Sequence, residues 1–84
     1  MTYYAQRLLL LLGRWSVGSI QKFAEELHVD PSELAEPVVE LQQTGYLVAY
    51  AMNDRSFPTN KMLEITQKGI DFMETYDGQI NQTL

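Results

Sequence analysis

The 84-residue sequence has no cysteine, one histidine (His28), and six lysines and arginines against eleven acids. Without thiols there is no disulfide framework, no thiolate nucleophile and no cysteine-held zinc or iron–sulfur centre. A lone histidine leaves no partner for imidazole-based metal binding or a histidine-centred catalytic relay. Phosphate-cradling glycine loops are missing as well. The sequence therefore points away from an enzyme and calls for no cofactor and no metal. A net charge of -5 also disfavours a chain that coats nucleic acid or an anionic membrane through massed positive charge. Leu8 to Leu12, at five residues, falls short of the roughly 7–15 apolar residues of a secretion signal and the roughly 20 of a membrane span. A cytoplasmic protein with no membrane segment is expected.

What is present, 45% hydrophobic and 20% charged residues, suits one small globular domain over residues 1–84, with a core over about 2–76 and a tail from 77 to 84. A domain of this size buries about 60% of its unfolded surface, so pairing of subunits is a natural supplement to its stability.

Local signals divide the chain into ordered elements. Thr2 can cap a helix from Tyr3 to Leu12, with Gly13 as its left-handed terminus and Trp15 to Gly18 as an extended link. Ser19 caps a second helix, Ile20 to about Leu27, whose Ile20, Phe23, Ala24 and Leu27 share one stripe before His28 ends it. In Asp30-Pro31-Ser32-Glu33 a cap, a first-turn proline and a returning carboxylate form a capping box, so a third helix starts there. Leu34, Val38 and Leu41 mark its buried stripe, Pro37 inside it should loosen the first turns, and Gly45 closes it. The period then changes to two: Tyr46 to Met52 reads as a strand with Leu47, Ala49 and Ala51 on one face. Residues 53–60 have hairpin-loop chemistry, Lys61 to Ile65 return as a second strand, and Thr66 caps a last helix from Gln67 to about Tyr76. The fold class is mainly α with a small β-hairpin (α+β): three helices, a two-stranded hairpin and a C-terminal helix.

Two stretches carry a family resemblance. Phe23 to Leu34, followed by Val38, Leu41 and Gly45-Tyr46-Leu47, resembles the helix-turn-helix of winged-helix proteins. Leu63-Glu64-Ile65-Thr66-Gln67-Lys68-Gly69 resembles the strand-to-helix junction after the wing in small MarR-like and PadR-like transcriptional regulators. His28 stands where those families often have glycine, and histidine tolerates a left-handed backbone better than most residues. The resemblance implies a regulator whose third helix enters the major groove of double-stranded DNA while its wing touches the backbone or minor groove.

The residues that must carry this are few. Off the buried stripe, the third helix offers Ser32, Glu33, Glu36, Pro37, Glu40 and Gln43, so base reading falls to Ser32, Gln43 and the neighbouring Gln42. On the wing, Arg55 and Lys61 are the phosphate candidates; a dimer would neutralise about four phosphates through them, for a salt slope near −3.6. Residues 23–54 hold Glu25, Glu26, Asp30, Glu33, Glu36, Glu40 and Asp54 with no lysine or arginine. An alternative thus stays open: a winged-helix interaction module, an adaptor, antagonist or DNA mimic, presenting Glu33, Glu36 and Glu40 to a basic protein partner. Finally, five consecutive leucines cover more than one stripe of the first helix. A homodimer is expected in which Tyr3, Tyr4, Leu8 and Leu11 meet Phe72, Met73, Tyr76 and Ile80 across a two-fold axis.

Overall fold

The computed structural model describes residues 1–83, with side chains described through Thr75. Its order is α1 (Tyr3–Trp15), β1 (Val17–Ser19), α2 (Ile20–Leu27), a 3-10 turn (Pro31–Leu34), α3 (Ala35–Gln43), β2 (Leu47–Ala51), β3 (Lys61–Ile65) and α4 (Gln67–Thr83). This is the winged-helix architecture, helix-turn-helix followed by hairpin and helix. Tyr76 and Ile80, expected at a dimer surface, lie outside the residues whose side chains are described.

The core forms where the apolar stripes converge. Ala5, Leu8, Leu9 and Leu12 of α1 are closed off by Phe23 and Ala24 of α2, Leu34, Val38 and Leu41 around α3, Leu47 and Leu63 of the hairpin, and Met73 of α4. α1 is longer than expected. Gly13 stays helical, and the chain turns instead at Ser16, which takes a left-handed φ of 68° while its N–H donates to the Leu12 carbonyl at 2.7 Å. The extra residues carry Trp15 onto Phe23, with ring centroids 5.1 Å apart, and that stacking outweighs the early stop.

The sheet has three strands rather than two, in the order β1-β3-β2 and antiparallel throughout. Val17 and Gly18, read from the sequence as part of a link, pair together with the cap residue Ser19 against Met62 to Glu64. Three residues are too short to show a period, so only the pairing reveals the strand.

Pro37 also departs from expectation. It is buried beside Val38 and does not belong to the outward face of α3. Proline cannot donate to the carbonyl four residues back, which would be that of Glu33. The chain answers by winding Pro31–Leu34 as a separate 3-10 turn and starting the α-helix afresh at Ala35, so Pro37 falls in a first turn, where the missing N–H leaves no bond broken.

The hairpin is fastened to α4 at one point. The Thr66 hydroxyl donates to the Gly45 carbonyl at 2.6 Å and accepts the Gly69 N–H at 3.1 Å, while the Thr66 N–H donates to the Tyr46 carbonyl at 3.1 Å. Gly69 packs so closely that a Cβ there would collide with the Tyr46 carbonyl oxygen and lie 2.8 Å from Ile65 Cγ1. At Gly13 the same atom would rest 3.6 Å from Met73 Cγ, an ordinary contact. The two glycines should therefore respond to alanine with opposite signs in thermal unfolding. Gly69→Ala is expected to cost about 2 kcal/mol and lower Tm by roughly 10 °C, whereas Gly13→Ala should raise stability by about 0.5–1 kcal/mol.

Candidate nucleic-acid interface

The helix-turn-helix is built by local hydrogen bonds. His28 ends α2 in the left-handed conformation at φ 59°, and its N–H reaches the Ala24 and Glu25 carbonyls. Asp30 then opens the next turn: its Oδ1 accepts the Ser32 N–H at 2.9 Å and the Ser32 hydroxyl at 2.8 Å, and Glu33 Oε2 accepts the Asp30 N–H at 2.9 Å. The backbone and side-chain donors of Ser32 hold the Asp30 carboxyl below its usual range.

These bonds change the reading of the acids. Glu33 closes the capping box, and Glu40 Oε2 accepts the Thr2 N–H at 3.2 Å, half-buried against the start of α1. Asp30, Glu33 and Glu36 all lie around the 3-10 turn and the N-terminal end of α3, where carboxylates complement the helix dipole. Glu36 alone of the expected acidic face is exposed without a hydrogen-bond partner among the described residues. The outward face of α3 is consequently Ala35, Glu36, Val39, Gln42 and Gln43, with Val39 50% exposed. Ser32 is exposed, but its hydroxyl proton is committed to Asp30. Ala35 and Val39 escaped the sequence reading because apolar residues beside a buried stripe read as part of its margin, and only the exposure of each side chain places them on the solvent face.

On the wing, Arg55 and Lys61 are both exposed, Arg55 within the loop and Lys61 at the first position of β3. Asp54 organises that loop. Its Oδ1 accepts the Ser56 hydroxyl at 2.7 Å, the Ser56 N–H at 3.0 Å and the Phe57 N–H at 3.2 Å, while its Oδ2 accepts Asn60 Nδ2 at 3.2 Å. The hydroxyl of Ser56 and the amide of Asn60 are the main reasons the Asp54 carboxyl is held below its usual range. Asn60, 3% exposed, in turn accepts the Gln21 N–H at 3.2 Å, which places the foot of the wing against the N-terminus of α2. Lys22, the next residue, lies over the Trp15 ring at 5.6 Å. The sequence offered no hint of this third cation, because the contact spans 39 residues.

The expected dimer residues divide. Leu8, at 0% exposure, belongs to the protein's own core and is not available to a partner, while Met73, at 8%, is mostly core but lines the groove between α1 and α4. Tyr3 is 67% exposed, Tyr4 and Leu11 are half-buried, and Phe72 stacks on Tyr46 with centroids 4.7 Å apart. Leu10, Leu11, Leu27, Ile65 and Ile70 line an open groove of about 500 Å³ between α1, α2 and α4, rimmed by Arg7, Arg14, Glu26 and Glu74. Among the described residues no three metal-ligating side chains converge, and no helix is long and apolar enough to cross a membrane.

No protein-family model matches the sequence, and no curated protein matches it. Solved structures do. Reduced AbfR bound to DNA superposes with a TM-score of 0.83 at 19% identity, over 100% of this chain and 57% of AbfR. MarR matches with a TM-score of 0.79 at 20% identity, over 98% of this chain and 58% of MarR. A transcriptional regulator homologue from Pyrococcus horikoshii OT3 matches at 0.80 and 17% identity, over 95% and 78%. This chain thus shares its winged-helix fold with regulators of the MarR kind and spans a little over half the length of AbfR and MarR.

The Asp54 contacts fix a pH dependence. A carboxyl with a lowered folded pKa stabilises the fold above its unfolded value, and that contribution is lost as pH falls through the folded pKa. The amide signals of Ser56 and Phe57 should hold their positions through the ordinary carboxylate range and move together at a midpoint below 3.8, as followed by two-dimensional NMR.

Proposed function

We propose that this winged helix is the DNA-binding unit of a transcriptional regulator, with α3 in the major groove and the wing on the phosphate backbone. The observation that carries the reading is the outward face of α3. Glu33 and Glu40 each accept a backbone N–H, and Ala35, Val39, Gln42 and Gln43 form the uncharged part of the exposed face. Gln42 and Gln43 suit adenine edges, and Ala35 and Val39 suit thymine methyl groups. That set favours A·T-rich operators. Arg55 and Lys61 from the wing, joined by Lys22, supply phosphate contacts. The likeness to reduced AbfR, whose structure is bound to DNA, supports a DNA-binding role.

A two-fold pair would present two such units to a palindromic site. The groove between α1 and α4 is the surface for it, with Leu10, Leu11 and Ile70 as apolar contacts and a rim of two arginines and two glutamates that is self-complementary in charge. The alternative partner, a basic protein held by Glu33, Glu36 and Glu40, has less to recommend it, since two of the three carboxylates already serve the fold.

A gel-shift titration against the region upstream of its own gene, at two salt concentrations, tests the reading. Arg55→Ala or Lys61→Ala in a dimer removes two phosphate contacts and should flatten the salt slope by about 1.8. Glu36→Gln should tighten binding at every sequence, and Val39→Glu should abolish it. No shift of the wild-type protein at low salt sinks the proposal. In analytical ultracentrifugation, wild type should sediment as a dimer at micromolar concentration and Ile70→Lys as a monomer.

A further inference from the structure

Among the described residues Asn60 is the one buried polar side chain, and its partners join the wing loop to the start of α2, 39 residues away in sequence. The first-turn amides of a helix have no intrahelical acceptor. In α2, the Ser19 hydroxyl takes the Lys22 N–H at 3.2 Å, leaving the Gln21 N–H. Asn60 Oδ1 takes that one at 3.2 Å, and also the Lys61 N–H at 3.1 Å. A residue of the wing therefore supplies the second cap of the helix-turn-helix. Asn60 Nδ2 then donates to Asp54 Oδ2 at 3.2 Å, and the Asn60 N–H donates to the Phe57 carbonyl at 3.0 Å, so the wing loop is closed onto the same side chain.

Arg55 follows Asp54 and Lys61 follows Asn60 directly in the chain. We infer that Asp54 and Asn60 are positioning residues that latch the wing to the N-terminus of α2 and so set where Arg55 and Lys61 meet the phosphates relative to α3. This rests on the DNA-binding reading above. An amide buried to this degree leaves a costly unpaired group if the latch opens, which keeps the wing in one position before DNA arrives. The wing's ordering is then already complete in the free protein and is not charged against binding.

The donor and acceptor pattern permits a test by exchange of the two residues. Asn60→Asp sets two carboxylates against each other, and Asp54→Asn sets two amide donors against each other. The double exchange, Asp54→Asn with Asn60→Asp, restores one donor facing one acceptor, keeps an acceptor for the Gln21 N–H and leaves the net charge unchanged. In free protein, amide exchange at Gln21 should be about tenfold faster in each single variant and return to the wild-type rate in the double. Against operator DNA each single variant should bind about tenfold more weakly and the double as wild type. Asp54→Asn is the discriminating case, since loss of a negative charge without a latch should tighten binding. Tighter binding by Asp54→Asn, or a double exchange that fails to recover the Gln21 amide, overturns the latch. Recovery of that amide in a protein that shifts no DNA in any form supports the latch and overturns the DNA-binding reading instead.

Discussion

The Thr66 hydroxyl holds the fold together at its one crowded point. It donates to the end of the α3–β2 turn and accepts from the first turn of α4, so the start of β2, the end of β3 and the root of the last helix meet at a single side chain. Gly69 is the steric counterpart of that bond, because only a residue without a Cβ lets α4 approach the Tyr46 carbonyl. Closing this junction fixes the pairing of Leu47 with Ile65, and the whole hairpin register follows from it. With the hairpin in place, Leu63 and Leu47 seal the core beneath α1 and α2.

From that junction two surfaces project, and both owe their character to bonds that look structural. The recognition segment carries its acids at its N-terminal end, where a capping box and the helix dipole account for Asp30 and Glu33 without any partner. Glu40 faces back to the start of α1. A chain of net charge -5 still leaves Ala35, Val39, Gln42 and Gln43 uncharged on the exposed face of its third helix. The wing is held by an amide reaching across to the first turn of α2, so Asn60 and its neighbour Lys61 stand beside the start of a helix 39 residues earlier in the sequence. Electrostatics here is a matter of placement, since net charge screens over about 8 Å at physiological salt while phosphate contacts act at hydrogen-bond range.

Much of the architecture was legible because it rests on short-range chemistry. Caps at Thr2, Ser19, Asp30 and Thr66 and the change of period after Gly45 place four helices and a hairpin, and the strand Lys61–Ile65 falls where alternation puts it. Errors arose where a distant contact overrode a local preference: Gly13 does not stop α1 because Trp15 finds Phe23, and Val17 to Ser19 becomes a strand because β3 lies beside it. Leu8 and Met73, assigned to a dimer surface from an apolar run, turn out to be core, since an apolar stripe does not say which side of it a partner occupies.

The sequence by itself determined the helix-turn-helix, the hairpin and the junction after it, because each is written in caps, turns and periods that span fewer than ten residues. The family resemblance, joined to residue chemistry, singled out Gln42, Gln43, Arg55 and Lys61 as candidates. Only the tertiary structure decided which acids face outward, that Pro37 is inside, that Ala35 and Val39 stand on the exposed face, and that Asn60 joins the wing to α2. Those facts depend on which side of each helix is covered and on hydrogen bonds between residues tens of positions apart, and neither exists until the chain has closed on its core.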